Sequence, residues 1–134
     1  GADGGPLEHI AALSAFWVGL LYDKDALNAS LDLTKDWSFE QVADMRNAVP
    51  AQGLNTPFGK GKVADIAAQA VEIAVQGLKN RKQTDETGRD ESIYLEPLEA
   101  IVKSGRPLAE TMLSQFNSDW NKSVEPVFEA YAYK

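Results

Sequence analysis

The stretch "KVADIAAQAVEIAVQGLKNRK" (residues 62–82) decides the fold class. Val63, Ile66, Ala67, Ala70, Val71, Ala74 and Leu78 recur at three- and four-residue steps, while Asp65, Gln69, Glu72, Gln76 and Lys79 fill the opposite side. A period of about 3.6 residues belongs to an amphipathic helix with one face in a core. Lys79, Arg81 and Lys82 stand at its end, where positive charge complements the carbonyl pole of the helix dipole.

Upstream of it, Ile10 to Tyr22 is the densest apolar run, broken by Ser14 and Gly19 and closed by Asp23-Lys24-Asp25. It is too short to span a bilayer and lacks the flanks of a signal peptide, so it reads as a core helix. "YDKDALNASLDLTKDW" carries Ala26, Leu27, Leu31 and Leu33 on a broad apolar face, with Asp23 as its N-cap. "SFEQVADMRNAV" opens with a capping box, Ser38 followed three residues on by Gln41, and Pro50 is expected to stop it.

Downstream, "DESIYLEPLEAIVKSGRP" predicts a helix from about Leu95, ended by Gly105 in a left-handed cap. Pro107 then occupies the first turn of "PLAETMLSQFNSDW", and "VEPVFEAYAY" forms a short closing helix or an ordered tail. No strand-like alternation of useful length and no internal repeat appears. Of the two loops, "AQGLNTPFGKGK" contains Leu54 and Phe58 and is expected to be packed, whereas "KQTDETGRDES" is expected to be exposed and mobile. Residues 1–134 therefore read as one mainly α domain or fragment.

Composition narrows the function. Thirteen basic against twenty acidic residues give a net charge of −7, and the basic residues are scattered, which argues against nucleic-acid binding. With no Cys there is no thiol nucleophile, disulfide or zinc–thiolate site, and a single His removes any multi-histidine metal site. No membrane partner is expected.

Few motifs carry chemistry by themselves. "PFGKGK" before the long helix suggests a phosphate cradle, but the Walker Ser/Thr is missing, and an ordinary loop with two surface lysines is the better reading. Glu8 and His9 are adjacent on a helix and point about 100° apart, so a structural His is favoured over a proton shuttle. Asp85, Glu86, Asp90 and Glu91 lack calcium-loop spacing and read as a solvated charge run. Phe16, Trp17, Tyr22, Trp37, Phe39, Phe58, Phe116 and Trp120 read mostly as core or helix-packing residues. Asp3, between the glycines of "GADGGP", can approach a ligand closely, although on chemistry alone it reads as a turn residue.

The phrases taken in order resemble the plant and proteobacterial type of glutamate–cysteine ligase. "GADGG" followed by "ALSAFWVGLLYD" is similar to a family phrase that an Arg precedes, and the likeness continues through "DLTKDWSFEQVADMRNAVPAQGLNTPF", "GRDESIYLEPLEAIVKSGRPLAE" and "DWNKSVEPVFEAYAY". Ser14 stands where the family has Pro, and "GKG" where it often has Arg, which weakens the phosphate reading of Lys60 further. Thr56, Pro57 and Phe58 match a second family phrase together with Arg46.

The resemblance implies an ATP- and magnesium-dependent enzyme that joins the γ-carboxyl of glutamate to the amine of cysteine through a γ-glutamyl phosphate, opening glutathione biosynthesis. It implies a larger α+β, glutamine-synthetase-like fold, of which this chain is the helical C-terminal portion, beginning inside an active-site glycine-rich motif. Asp3, Gly4 and Gly5 then become substrate-binding residues, and Arg46 an anion contact, with an ion-pair role equally open. No catalytic residue or metal ligand falls in this chain. ATP and magnesium would be held mainly by the upstream portion, the expected partner, and the isolated chain is expected to be inactive. The resemblance places the enzyme in the cytoplasm, or in the plastid of a plant. The alternatives are a self-standing acidic helical protein-interaction module without catalytic activity and, resting only on the Gly-Lys loop, a small nucleotide-binding protein. Burial of Ile10, Phe16, Trp17 and Leu20 would favour the self-standing module; an exposed apolar patch there would favour the ligase fragment.

Overall fold

The structure, a computed structural model, describes residues 5–132. Its helices are α1 (Leu7–Leu21), α2 (Lys24–Thr34), α3 (Phe39–Gln52), α4 (Val63–Arg81), α5 (Glu96–Ser104), α6 (Leu108–Asn117) and α7 (Glu125–Ala130). Tight 3₁₀ turns cover Gly53–Asn55 and Glu91–Leu95, and an antiparallel hairpin pairs β1 (Pro57–Phe58) with β2 (Gly61–Lys62). The chain is mainly α, as the hydrophobic period predicts.

The long amphipathic helix α4 is the hub. It packs against α1, α2, α5 and both 3₁₀ turns, while α3 is held through the Gly53–Asn55 turn and β1. The core is small: Leu20, Ala74, Leu78 and Leu95 form its centre, with Phe16, Val18, Ile73 and Leu98 packed around them. Small residues bring α1 and α4 close. A side chain on Gly19 would run into the Ala74 backbone, and one on Gly77 would run into the Gly19 carbonyl and lie 2.9 Å from Ala26 Cβ. Gly77 thus sits inside a helix, where its flexibility costs about 1 kcal/mol, because nothing larger fits the crossing.

Local chemistry sets the helix ends. Asp23 accepts a hydrogen bond from the Ala26 amide (2.9 Å) and another from Asn80 Nδ2 (3.1 Å), so the α2 cap also ties α2 to α4. At α3 the capping box is complete: Ser38 Oγ accepts from the Gln41 amide and Gln41 Oε1 accepts from the Ser38 amide. Gly105 ends α5 at φ 68°, the left-handed cap its residue type predicts. Past α4, Lys82 takes φ 55°, and Arg81 is held between Glu91 (Nε to Oε2, 2.9 Å) and the Tyr22 ring (5.7 Å). Pro107 is the N-cap of α6, one position earlier than expected. Trp120 meets Tyr131 edge-on, and the Tyr131 hydroxyl donates to Gln115 Oε1 (3.1 Å), which ties the end of α7 to α6.

Other expectations need correction. Pro50 does not stop α3, which runs on to Gln52 and turns at Gly53 (φ 55°). Its missing N–H removes one ladder bond in an exposed last turn, where water can serve the freed carbonyl. Among the aromatics, Trp17, Tyr22 and Phe39 are exposed rather than core, Phe39 by 88%. The loop at residues 83–90 is exposed but well tied. Asp85 accepts from the amides of Thr87 and Arg89, from Thr87 Oγ1 and from the Arg89 guanidinium. The acidic run is accordingly structural: Asp85 closes this loop, Asp90 caps the Glu91–Leu95 turn through the Ser92 amide, and Glu91 pairs with Arg81.

Candidate functional site

Asp3 and Gly4 lie outside the described residues. Gly5, the remaining member of that phrase, is exposed with φ 123°, a conformation that disfavours any side chain although there is room for one. Pro6 follows as the N-cap of α1, its carbonyl accepting from the amides of His9 and Ile10. Gly5 and Pro6 therefore set the direction in which the chain enters α1. Glu8 and His9 make no hydrogen bond to each other among the described residues, in keeping with their divergent directions on the helix.

Arg46 projects from α3 into solvent and has no ion pair or hydrogen bond among the described residues. Phe39 and Val42 share its helix face at steps of seven and four residues, and both are exposed. The result is an available guanidinium beside an apolar surface, suited to a carboxylate or phosphate whose neighbouring atoms are apolar. Phe39, which the sequence places among core or helix-packing residues, is exposed here because helical spacing alone does not say which face meets another element. Gly5 and Arg46 stand on elements that are not principal packing partners, since α1 leans on α2, α4 and α5 while α3 leans on β1 and the turn after it.

Residues 56–58 have a structural task. Thr56 is fully buried; its Oγ1 donates to the Gly53 carbonyl (2.7 Å) and its own carbonyl accepts from the Val63 amide (2.9 Å). Phe58 meets Trp37 edge-on at 4.9 Å. These contacts clip the end of α3 to the start of α4, so the loop is packed as expected. The Gly59–Lys60 segment is the tip of the hairpin, with Gly59 at φ 58°. At the head of α4 the Asp65 carboxylate accepts from the Lys62 amide (2.9 Å) and would lie 2.7 Å from a Cβ on Gly61. The anion-attracting helix end is already occupied by a carboxylate of its own chain, which opposes a phosphate cradle at Lys60.

Two of the open grooves among the described residues lie beside α4 and α1. One, of about 490 Å³, lies between α2 and α4 and presents Asp25, Glu72, Gln76 and Asn80 over Ala26 and Ile73. The other, of about 300 Å³, runs beside α1 past Ser14, Val18, Leu78 and Tyr94. No three His, Asp or Glu side chains converge on a point among the described residues. Carboxyl groups are instead pulled below their ordinary range by structural hydrogen bonds: Asp85 to about 2, chiefly by the Thr87 hydroxyl, Asp23 chiefly by the Ala26 amide, and Asp90 chiefly by Ser92. They are set to stay charged as turn and cap groups, not to move protons near neutrality.

The first helix gives a divided answer to the burial test set by the sequence, since of Ile10, Phe16, Trp17 and Leu20 only Trp17 is exposed. Leu20 is buried and Ile10 and Phe16 are half-buried, but Leu7, Trp17 and Leu21 are exposed by 62%, 54% and 48%. The signal was present in the sequence: from Ile10 to Leu21 the helix contains no charged residue on any face.

Residues 1–130 match the family model described as glutamate-cysteine ligase family 2. The chain is 44% identical over 133 residues to the chloroplastic glutamate–cysteine ligase of Arabidopsis thaliana, covering 99% of this chain and 24% of that protein. It is 42% identical to the chloroplastic enzyme of Brassica juncea and 41% identical to chloroplastic glutamate–cysteine ligase A of Oryza sativa subsp. indica, covering 25% and 26% of those proteins. The chain thus spans about a quarter of the length of the relatives it matches.

Proposed function

The chain belongs to glutamate-cysteine ligase family 2, and we propose that it is the C-terminal helical part of an ATP-dependent enzyme that joins the γ-carboxyl of glutamate to the amine of cysteine, the first step of glutathione biosynthesis. One observation carries this reading: the likeness covers 99% of the chain, at 44% identity to a relative named for that reaction. The relatives are about four times longer, which supports a further portion of the same protein as the principal partner. Their chloroplastic names support a plastid location if the source is a plant.

Within that enzyme, Asp3, Gly4 and Gly5 line the substrate cleft, and Arg46 meets the negative charge of a substrate carboxylate or phosphate. Arg46 suits this task because it spends no charge on a neighbour among the described residues. ATP and magnesium are a poor fit to the described surface. Its carboxylates do not converge, and the Gly-Lys turn leads into a helix end that Asp65 already caps. This part of the enzyme therefore positions and covers substrates, and by itself forms no peptide-like bond.

The test is ADP formation by the complete enzyme, with and without glutamate and cysteine. Dependence on both amino acids supports the proposal, and its absence in a folded protein refutes it. Arg46→Ala should raise the KM of an anionic substrate about tenfold or more, the worth of a charge-assisted hydrogen bond, with Arg46→Lys recovering part of the loss. The isolated chain should release no ADP.

A further inference from the structure

We infer that the outer face of α1, formed by Leu7, Ile10, Trp17 and Leu21, is the seam on which the rest of the ligase polypeptide is built. The inference rests on the reading of this chain as one part of a longer ligase.

Three observations converge on it. First, at 100° per residue Leu7, Ile10, Ser14, Trp17 and Leu21 fall within an arc of about 80°, and none of them is charged. The remaining faces of α1 are already taken by α2, α4, α5 and the Glu91–Leu95 turn. Past its first turn, which carries Glu8 and His9, α1 is uncharged on every face, as suits a helix inside a larger body or a membrane. At 15 residues α1 reaches only about 22 Å, short of the roughly 30 Å hydrocarbon layer, and no described helix is long and apolar enough to cross a membrane.

Second, the exposed area is too large for a finished body. A compact monomer of 14.6 kDa exposes about 6,900 Å², whereas this chain exposes 9345 Å². The excess of about 2,400 Å² over that scaling includes the exposed Leu7, Trp17 and Leu21 of α1. Third, three-quarters of the length of the relatives lies outside the matched region, so a partner of sufficient size is covalently at hand. A covalent partner needs no rim of complementary charge to find this surface, which accords with the absence of charge along the stripe.

The decisive reagent is the complete ligase, probed by hydroxyl-radical footprinting at Trp17. At the 54% exposure seen here, Trp17 should oxidise about twofold more slowly than in the urea-unfolded protein; under a seam it should oxidise at least tenfold more slowly. Trp17→Lys, a change an exposed site would tolerate, should lower the Tm of the complete enzyme by about 3 °C. Twofold slowing in a protein that makes ADP with glutamate and cysteine overturns the seam and leaves the ligase reading intact. Tenfold slowing in a folded protein that makes none keeps the seam and overturns the ligase reading. Protection that disappears when an oligomer is diluted to monomers assigns the face to a second copy and overturns the proposal.

Discussion

Gly77→Ala puts two opposing effects in direct competition. By intrinsic propensity alone, alanine in the middle of α4 should stabilise the helix by about 1 kcal/mol. The added methyl, however, has to occupy the space of the Gly19 carbonyl oxygen and approach Ala26 Cβ to 2.9 Å. A backbone carbonyl cannot rotate away, so α1 and α4 must part. A gap of 0.5–1 Å already forfeits about a quarter to a half of each dispersion contact along the seam. That seam includes Leu20, Ala74 and Leu78, the centre of the core. Overpacking of this kind costs about 3 kcal/mol at the upper end of its range, leaving a net loss of about 2 kcal/mol after the propensity gain. With an unfolding entropy of about 2.1 cal/mol/K per residue, that corresponds to a drop of about 7 °C in the Tm of the 134-residue chain. Calorimetry reads the sign directly. A rise of about 4 °C, the value propensity alone gives, would refute the close crossing.

Further outcomes test the caps, the turn and the site. Ser38→Ala removes half of the α3 capping box and should destabilise by about 1 kcal/mol in chemical denaturation. Asp85, Asp23 and Asp90 all have folded-state pKa values below their ordinary ones, so they add stability that is complete above about pH 4 and is lost as pH falls through the folded values, about 2 for Asp85. Melting curves from pH 5 to 2 should show that decline, and Asp85→Asn should flatten it; a decline of equal depth in the variant would remove Asp85 from the explanation. Gly5→Ala, forced into φ 123°, should disturb the entry to α1 and lower ligase turnover in the complete enzyme while leaving the melting of α4 amides in hydrogen exchange unchanged.

Much of the helical framework was legible because its causes are local. The period of α4, the Asp23 and Ser38 caps and the Gly105 stop each depend on residues within a turn or two, where spacing and side-chain chemistry act directly. The family was legible as well, through the order and spacing of phrases along the whole chain. Arg46 was named from the sequence, yet its freedom from partners among the described residues is a result of where α3 lies. The limits of local reading show at Pro50, whose cost depends on how exposed the last helical turn is, and at Asp85, whose partners close around it only when the turn forms.

Tertiary structure alone decided what faces what. Phe39, Trp17 and Leu20 are all large apolar residues on helices, but Leu20 is buried while Phe39 and Trp17 face solvent. Nothing within one turn of sequence separates them, because burial is decided by which other element arrives. Gly77 likewise reads as a weak point in α4 until α1 is placed against it, and then it becomes the reason the two helices can meet. The sequence by itself determined the helices and the family; the packing of α1 on α4 decided which apolar face of α1 remained exposed, since a helix states its periodicity locally and its partners only through the fold.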